Sequence, residues 1–169
     1  MKKIVLILAC SLLTGSIVFS QTSPKIGYLP TAELLQSMPE RAKADSDIAK
    51  YAKSFQDQID IMMKEYQTKG QQYQANEKTM TDAMKEVKMK EIQDLQNRIE
   101  STQQSAQEKI QAKKQEIYAP ILDKAEKAIK AVAKEKNYDF VFDQSGGVLL
   151  YGKDSDNILP LVKAKLGIK

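Results

Sequence analysis

The chain has 169 residues, no histidine, one cysteine, 26 basic and 22 acidic side chains, and a formal net charge of +4. The missing histidine removes the commonest general base and the commonest transition-metal ligand together, so zinc sites and histidine-based triads are excluded. The positive charge is mild and interspersed with acids, which argues against a nucleic-acid footprint.

The first element is a targeting segment, residues 1–20. Lys2 and Lys3 precede an apolar run from Ile4 to Leu13, and Val18 and Ser20 suit the positions three and one before a cleavage point. Gln21 would then be the new N-terminus, and the protein is expected to be exported. Ile7, Leu8, Ala9 and Cys10 offer a competing pattern, that of a lipidated cysteine, but cleavage there leaves a short apolar core and strands Leu12, Leu13, Ile17, Val18 and Phe19 on the mature chain. Removing residues 1–20 also removes the cysteine, so neither disulfides nor thiol chemistry can contribute afterwards.

Lys25–Leu29 reads as a short strand, followed by a helical turn through Ala32, Leu34, Leu35 and Met38. Between Gly27 and Gly146 the only glycine is Gly70 and the only prolines are Pro30, Pro39 and Pro120, a scarcity of breakers that predicts long helices. The first should run from Pro39 or Glu40 to Ala75. Its apolar residues fall on two series spaced by seven, Ala52, Ile59, Tyr66 and Tyr73 on one and Ile48, Phe55 and Met62 on the other, with Lys69 breaking the second.

A second long helix, from Thr81 to Tyr118, carries Met84, Val87, Ile92, Leu95, Ile99, Ala106, Ile110 and Ile117, with Thr102 and Lys109 intruding on its seam. Thr81 followed by Asp82 makes an N-cap and first turn, which places the tip of an antiparallel helical hairpin at residues 76–81. Pro120 is expected to end that helix and begin another, whose apolar face is Ile121, Leu122, Ala125, Ala128, Ile129, Val132 and Ala133. Asn137 closes it. Tyr138–Phe142 then alternate as a strand, Ser145–Gly147 turn, and Val148–Tyr151 return as its hairpin partner. Asp156 or Asn157 should cap a last helix reaching Leu166, with Pro160 tolerated in its first turn.

The expected architecture is therefore mainly α with a small β body, from which a long antiparallel coiled-coil hairpin projects. Residues 21–39 and 119–169 would form the body, and residues 40–118 the arm. The body's short strands offer Ile26, Tyr28, Tyr138, Phe140, Phe142, Leu149 and Tyr151 for self-association, because a core built from about 65 residues is marginal alone.

Gly147, four residues, Gly152 and Lys153 imitate a phosphate-binding loop. The intervening Val148–Tyr151 run is apolar and Asp154 stands where a magnesium-binding hydroxyl belongs, so no nucleotide site is expected. Carboxylates sit mostly among lysines and glutamines on helical faces, where solvated charge accounts for them. No cofactor and no catalytic group is expected. Methionine is the informative residue: Met62, Met63, Met80, Met84 and Met89 all fall in the outer half of the hairpin. Met62, Met80 and Met84 lie on the stripes and fit a seam. Met63 and Met89 lie off them and are the leading candidates for gripping another polypeptide through adaptable thioether side chains.

Ile26, Gly27 and Tyr28, the run Leu34–Glu40, and later Tyr118, Pro120, Ile121, Lys124, Ala128, Ile129, Tyr138, Asp139, Phe142 and Asp143 together resemble the Skp/OmpH family of periplasmic chaperones. The likeness covers essentially the whole mature chain, and Pro30 departs from the polar residue often found after the first strand. The resemblance implies a homotrimer whose strands form a central body with three helical arms around a cavity. It implies a periplasmic holdase that keeps unfolded outer-membrane proteins soluble without ATP, and contact with lipopolysaccharide or a membrane surface at positions no motif marks here. A structural envelope coiled coil that bridges folded partners is the alternative.

Overall fold

The structure is a computed structural model describing residues 23–168, so the targeting segment, Cys10 and Gln21 lie outside the described residues. In chain order it contains β1 (Ile26–Leu29), α1 (Thr31–Ser37), α2 (Pro39–Asn76), a 3₁₀ turn (Glu77–Thr79), α3 (Asp82–Glu135), β2 (Phe140–Asp143), a second 3₁₀ turn (Asp154–Asp156) and α4 (Leu159–Lys165). The described residues are thus mainly helical with one small pair of strands.

The long helices begin and end where local chemistry dictates. Pro39 occupies the first turn of α2, where its missing amide costs nothing. The Thr81 side chain accepts the Met84 amide at the start of α3, and Asp82 follows in the first turn. At the other end of α3, Asn137 adopts φ 54°. Its amide donates to the Lys134 carbonyl at 3.2 Å, and the Tyr138 amide donates to Ala133 at 2.9 Å. This is a Schellman closure, with asparagine in the left-handed position that usually falls to glycine. Gly167, at φ 71°, closes α4 by the same pair of bonds.

α2 has 38 residues and α3 has 54, roughly 57 and 81 Å at 1.5 Å per residue. They run antiparallel side by side. Glu40 pairs with Lys124, the Tyr118 hydroxyl donates to Asp45, Met62 Sδ lies 4.0 Å from Thr102 Oγ1, and Lys69 reaches Glu91 at 3.2 Å. Near the far end, Met62, Leu95 and Ile99 are buried together with Tyr66 against them.

The larger core lies at the other end. Leu29, Leu34, Met38, Ala44, Ile121, Ala125, Ala128, Val132, Ile158, Leu159 and Val162 form one cluster drawn from β1, α1, α2, α3 and α4. β1 is flanked by β2 on one side and bridged at Tyr28 to Asn157 on the other. The amides of Thr31 and Ala32 at the start of α1 are taken by Asp143 Oδ1 at 3.0 Å and Ser145 Oγ at 2.9 Å, so the turn after β2 satisfies the open end of that helix.

Several expectations are corrected. α3 does not stop at Pro120 but passes through it. Pro120 and Glu116 are exposed, so the carbonyl that loses its helical partner can turn to water, while Ile121 and Ala125 pack into the core and carry the helix past the break. Val148–Tyr151 is not a strand, and β2 has no hairpin partner among the described residues. β2 instead pairs parallel with β1, Ile26 opposite Phe140 and Tyr28 opposite Phe142, a pairing that needs the long helical crossover between them. Tyr138 precedes β2 rather than belonging to it. At α4 the N-cap is Ile158 rather than Asp156 or Asn157, with Asn157 Oδ1 one residue earlier accepting the Leu159 amide at 2.9 Å, and the helix ends at Lys165 rather than Leu166.

Candidate functional site

Two exposed apolar surfaces stand out, and the fold sets them at opposite ends of the molecule. The first lies on the outer part of the α2–α3 pair. Met62 is 7% exposed and belongs to the seam, as its stripe implied. Met80, after the 3₁₀ turn, is half-buried beside Tyr73 and Ile92. Met63 is 40% exposed and Met89 55%. Met63 borders a groove with Tyr66 and Ile99.

Met84 departs from the seam expected for it and is exposed. It sits in the first turn of α3, and counting seven residues from the Lys69–Glu91 pair puts it level with Asn76, the last residue of α2. Little helix remains opposite to cover it. With Ala83 and Val87 it lines an open apolar depression of about 260 Å³. Ile61 is 70% exposed and was missed in the sequence. It falls off both heptad series, the same signal that singles out Met63 and Met89.

Charge surrounds these groups without neutralising their apolar character. Lys69 Nζ, which interrupts the seam, lies 3.2 Å from Glu91 and 3.8 Å from Glu65, and Lys88 shares Glu91 at 3.1 Å. Hydrogen bonds from Lys88 and then Lys69 hold the Glu91 carboxyl below its usual range.

The second surface is the outward face of the two-stranded sheet. Leu29 and Val141 point to the helices, whereas Ile26, Phe140 and Phe142 are exposed on the other side. Val148, Leu150 and Tyr151 follow in the loop after β2 and are more than three-quarters exposed. Leu149 is half-buried. Tyr28 is buried within its own chain, its ring so close to Gly152 that a Cβ there would stand 2.4 Å away. Tyr138 packs against the core cluster beneath the Lys25 ammonium, 4.4 Å from the ring centre. Asp143 anchors this end: burial raises its pKa, but the amides of Ser145 and Thr31 outweigh that and hold it below the ordinary value.

No cluster of His, Cys, Asp and Glu suited to a metal is found among the described residues, and no described helix is long and apolar enough to cross a membrane. What the geometry offers is apolar side chains that the other described residues leave uncovered.

Comparison with known proteins agrees on the kind of molecule. A family model described as outer membrane protein (OmpH-like) matches residues 25–166. Among solved structures, a candidate outer membrane chaperone (OmpH-like) from Caulobacter crescentus shares the fold at a TM-score of 0.75 and 13% identity, over 85% of this chain and 84% of that one. No curated protein matches the sequence.

Proposed function

Because the chain belongs to the OmpH-like outer membrane protein family, we propose that it is an ATP-independent periplasmic holdase that binds unfolded outer-membrane β-barrel proteins and keeps them from aggregating before insertion. The observation that carries this reading is the exposed set Ile61, Met63, Met84, Val87 and Met89 on the outer helix pair. These groups do not build the core, and three of them are flexible thioethers that adapt to varied apolar partners. Many weak contacts of this kind suit a client without fixed shape. Residues 40–118 act as a coiled-coil arm, and residues 21–39 and 119–169 as the body. The sheet face of Ile26, Phe140 and Phe142, with Leu149 and Tyr151 beside it, joins three copies into a trimer, with Tyr28 and Tyr138 shaping that face from within.

Dilution of a urea-unfolded barrel protein into buffer tests the holdase reading by light scattering. The chain should suppress the signal without nucleotide. Equal scattering with and without it would overturn the reading, and binding of a single folded partner with no effect on unfolded barrels would favour an envelope spacer instead. Changing Met63, Met84 and Met89 to serine should weaken client binding about tenfold, since losing roughly 1.4 kcal/mol of apolar contact corresponds to that factor. Helicity should be unchanged.

A further inference from the structure

Methionine is the side chain that a two-electron oxidant meets first in this protein. Histidine and tryptophan are absent from the sequence, and the single cysteine, Cys10, lies outside the described residues. All but Met1 of the seven methionines fall within them, and the fold sorts these by access. Met38 is enclosed in the compact core, and Met62 is buried in the outer seam with its Sδ 4.0 Å from Thr102 Oγ1. Met80 is half-buried. Met63, Met84 and Met89 are 40, 53 and 55% exposed, and all three lie on the outer helix pair.

The surroundings of the exposed methionines have room for an added oxygen. Met63 borders the groove of about 270 Å³ lined by Tyr66 and Ile99, and Met84 lines the open depression that it shares with Val87 and Lys88. At Met38 the same oxygen would be buried among apolar groups, and at Met62 it would crowd the seam. Oxidation at the exposed positions therefore leaves both cores intact.

The chemistry needs only the oxidant. The sulfur lone pair attacks one oxygen of hydrogen peroxide, an S–O bond forms as the O–O bond breaks, and the departing hydroxide takes the proton of the transferred oxygen and leaves as water. Sulfur loses two electrons and the peroxide gains them. The product puts a polar group where the thioether offered a flexible apolar surface, and methionine sulfoxide reductases return it to the thioether.

We propose that Met63, Met84 and Met89 are a reversible oxidation site, and that peroxide loosens the hold of the outer helix pair on apolar partners by converting them to sulfoxides while the fold stays intact. The loss of hold rests on the holdase reading. The order in which the methionines oxidise does not.

The test exposes the whole chain, in a Cys10→Ser background, to hydrogen peroxide and follows each methionine by peptide mass spectrometry. Sulfoxide should form at Met63, Met84 and Met89 about tenfold faster than at Met38 and Met62, with Met80 between them, as access dictates. Helicity should be unchanged. Chain oxidised to that stage should bind a urea-unfolded barrel protein about tenfold more weakly, and reductases acting on both sulfoxide epimers, supplied with dithiothreitol, should restore the binding. Equal rates at all of these methionines, or client binding unchanged once the exposed three are converted, overturns the proposal. Met63→Leu, Met84→Leu and Met89→Leu together keep apolar surface but accept no oxygen, so client binding by this variant should not respond to peroxide. A response as large as the parent's places the effect elsewhere and overturns the proposal too. Untreated chain that leaves the scattering of unfolded barrels unchanged fails the holdase reading and the proposed release with it, whereas binding retained after oxidation overturns the release alone.

Discussion

The compact end and the outer helix pair are made from the same two long helices, yet they are held by different means. At the compact end eleven buried residues from five elements meet in one cluster, while the outer pair gathers three. Leu34, Ile158 and Val162 are fully enclosed, whereas the outer seam alternates buried Ile59 and Leu95 with half-exposed Phe55 and Lys69. A helix packed against a single neighbour has one stripe to bury, and a helix inside a body has several. The same chain therefore yields a rigid end and a compliant one.

The largest test of this contrast is truncation in the two cores. Leu34→Ala should cost about 3 kcal/mol, because its site is closed on all sides and the cavity cannot collapse. Leu95→Ala should fall toward the lower end of the 2–5 kcal/mol range, roughly 2 kcal/mol, since a two-helix seam can close over the gap. Urea unfolding of both variants measures the difference, and equal losses would break the comparison. Gly152→Ala is a smaller disturbance of the compact end. Its Cβ would meet the Tyr28 ring at 2.4 Å, so the ring or the loop must shift at a cost of about 2 kcal/mol, read as a lower urea midpoint with outer-pair hydrogen exchange unchanged.

The compliant end was easier to read in the sequence than the rigid one. Heptad spacing placed Ile48, Ile59 and Met62 in the seam, and Thr81 and Asn137 marked helix ends by chemistry that acts within a few residues. Pro120 was misread because the rule against proline inside helices is local, while the packing of Ile121 and Ala125 that overrides it comes from distant chain. Val148–Tyr151 has strand-forming residues but finds no ladder partner among the described residues, and the parallel match of β1 with β2 joins segments separated by the whole helical region. Off-stripe position agrees with the exposure of Met63 and Met89, whereas that of Met84 depends on where α2 ends, which periodicity does not report.

Between the two ends, the junction should respond to acid. Hydrogen bonds from Tyr118 and then Arg41 depress the Asp45 pKa, and the Lys124 ammonium, then a backbone bond, depresses that of Glu40. Groups depressed on folding stabilise fully above their ordinary values and lose that contribution as pH falls through the folded ones. The junction should thus be unaffected at neutral pH and loosen only below about pH 4, the ordinary carboxylate range. Carbon-detected NMR titration should place both midpoints below that range, with Tyr118→Phe returning Asp45 toward it.

The smallest effect belongs to Lys69, the residue that breaks the outer seam. Its ammonium is tied to Glu91 and Glu65, but the pairs are one-third to one-half exposed, and solvent screening leaves them little weight in stability. Lys69→Leu removes those ties while extending the apolar stripe of Phe55 and Met62 by one heptad, and Glu91 retains Lys88. Apolar gain should exceed the lost pairing, so the variant is expected to be more stable by roughly 0.5–1 kcal/mol. Slower hydrogen exchange near residues 66–73 and 88–95, with no change at the compact end, would show that the outer pair is soft because its seam is interrupted. Unchanged exchange would place the softness in the absence of a third neighbouring element, which no single substitution supplies.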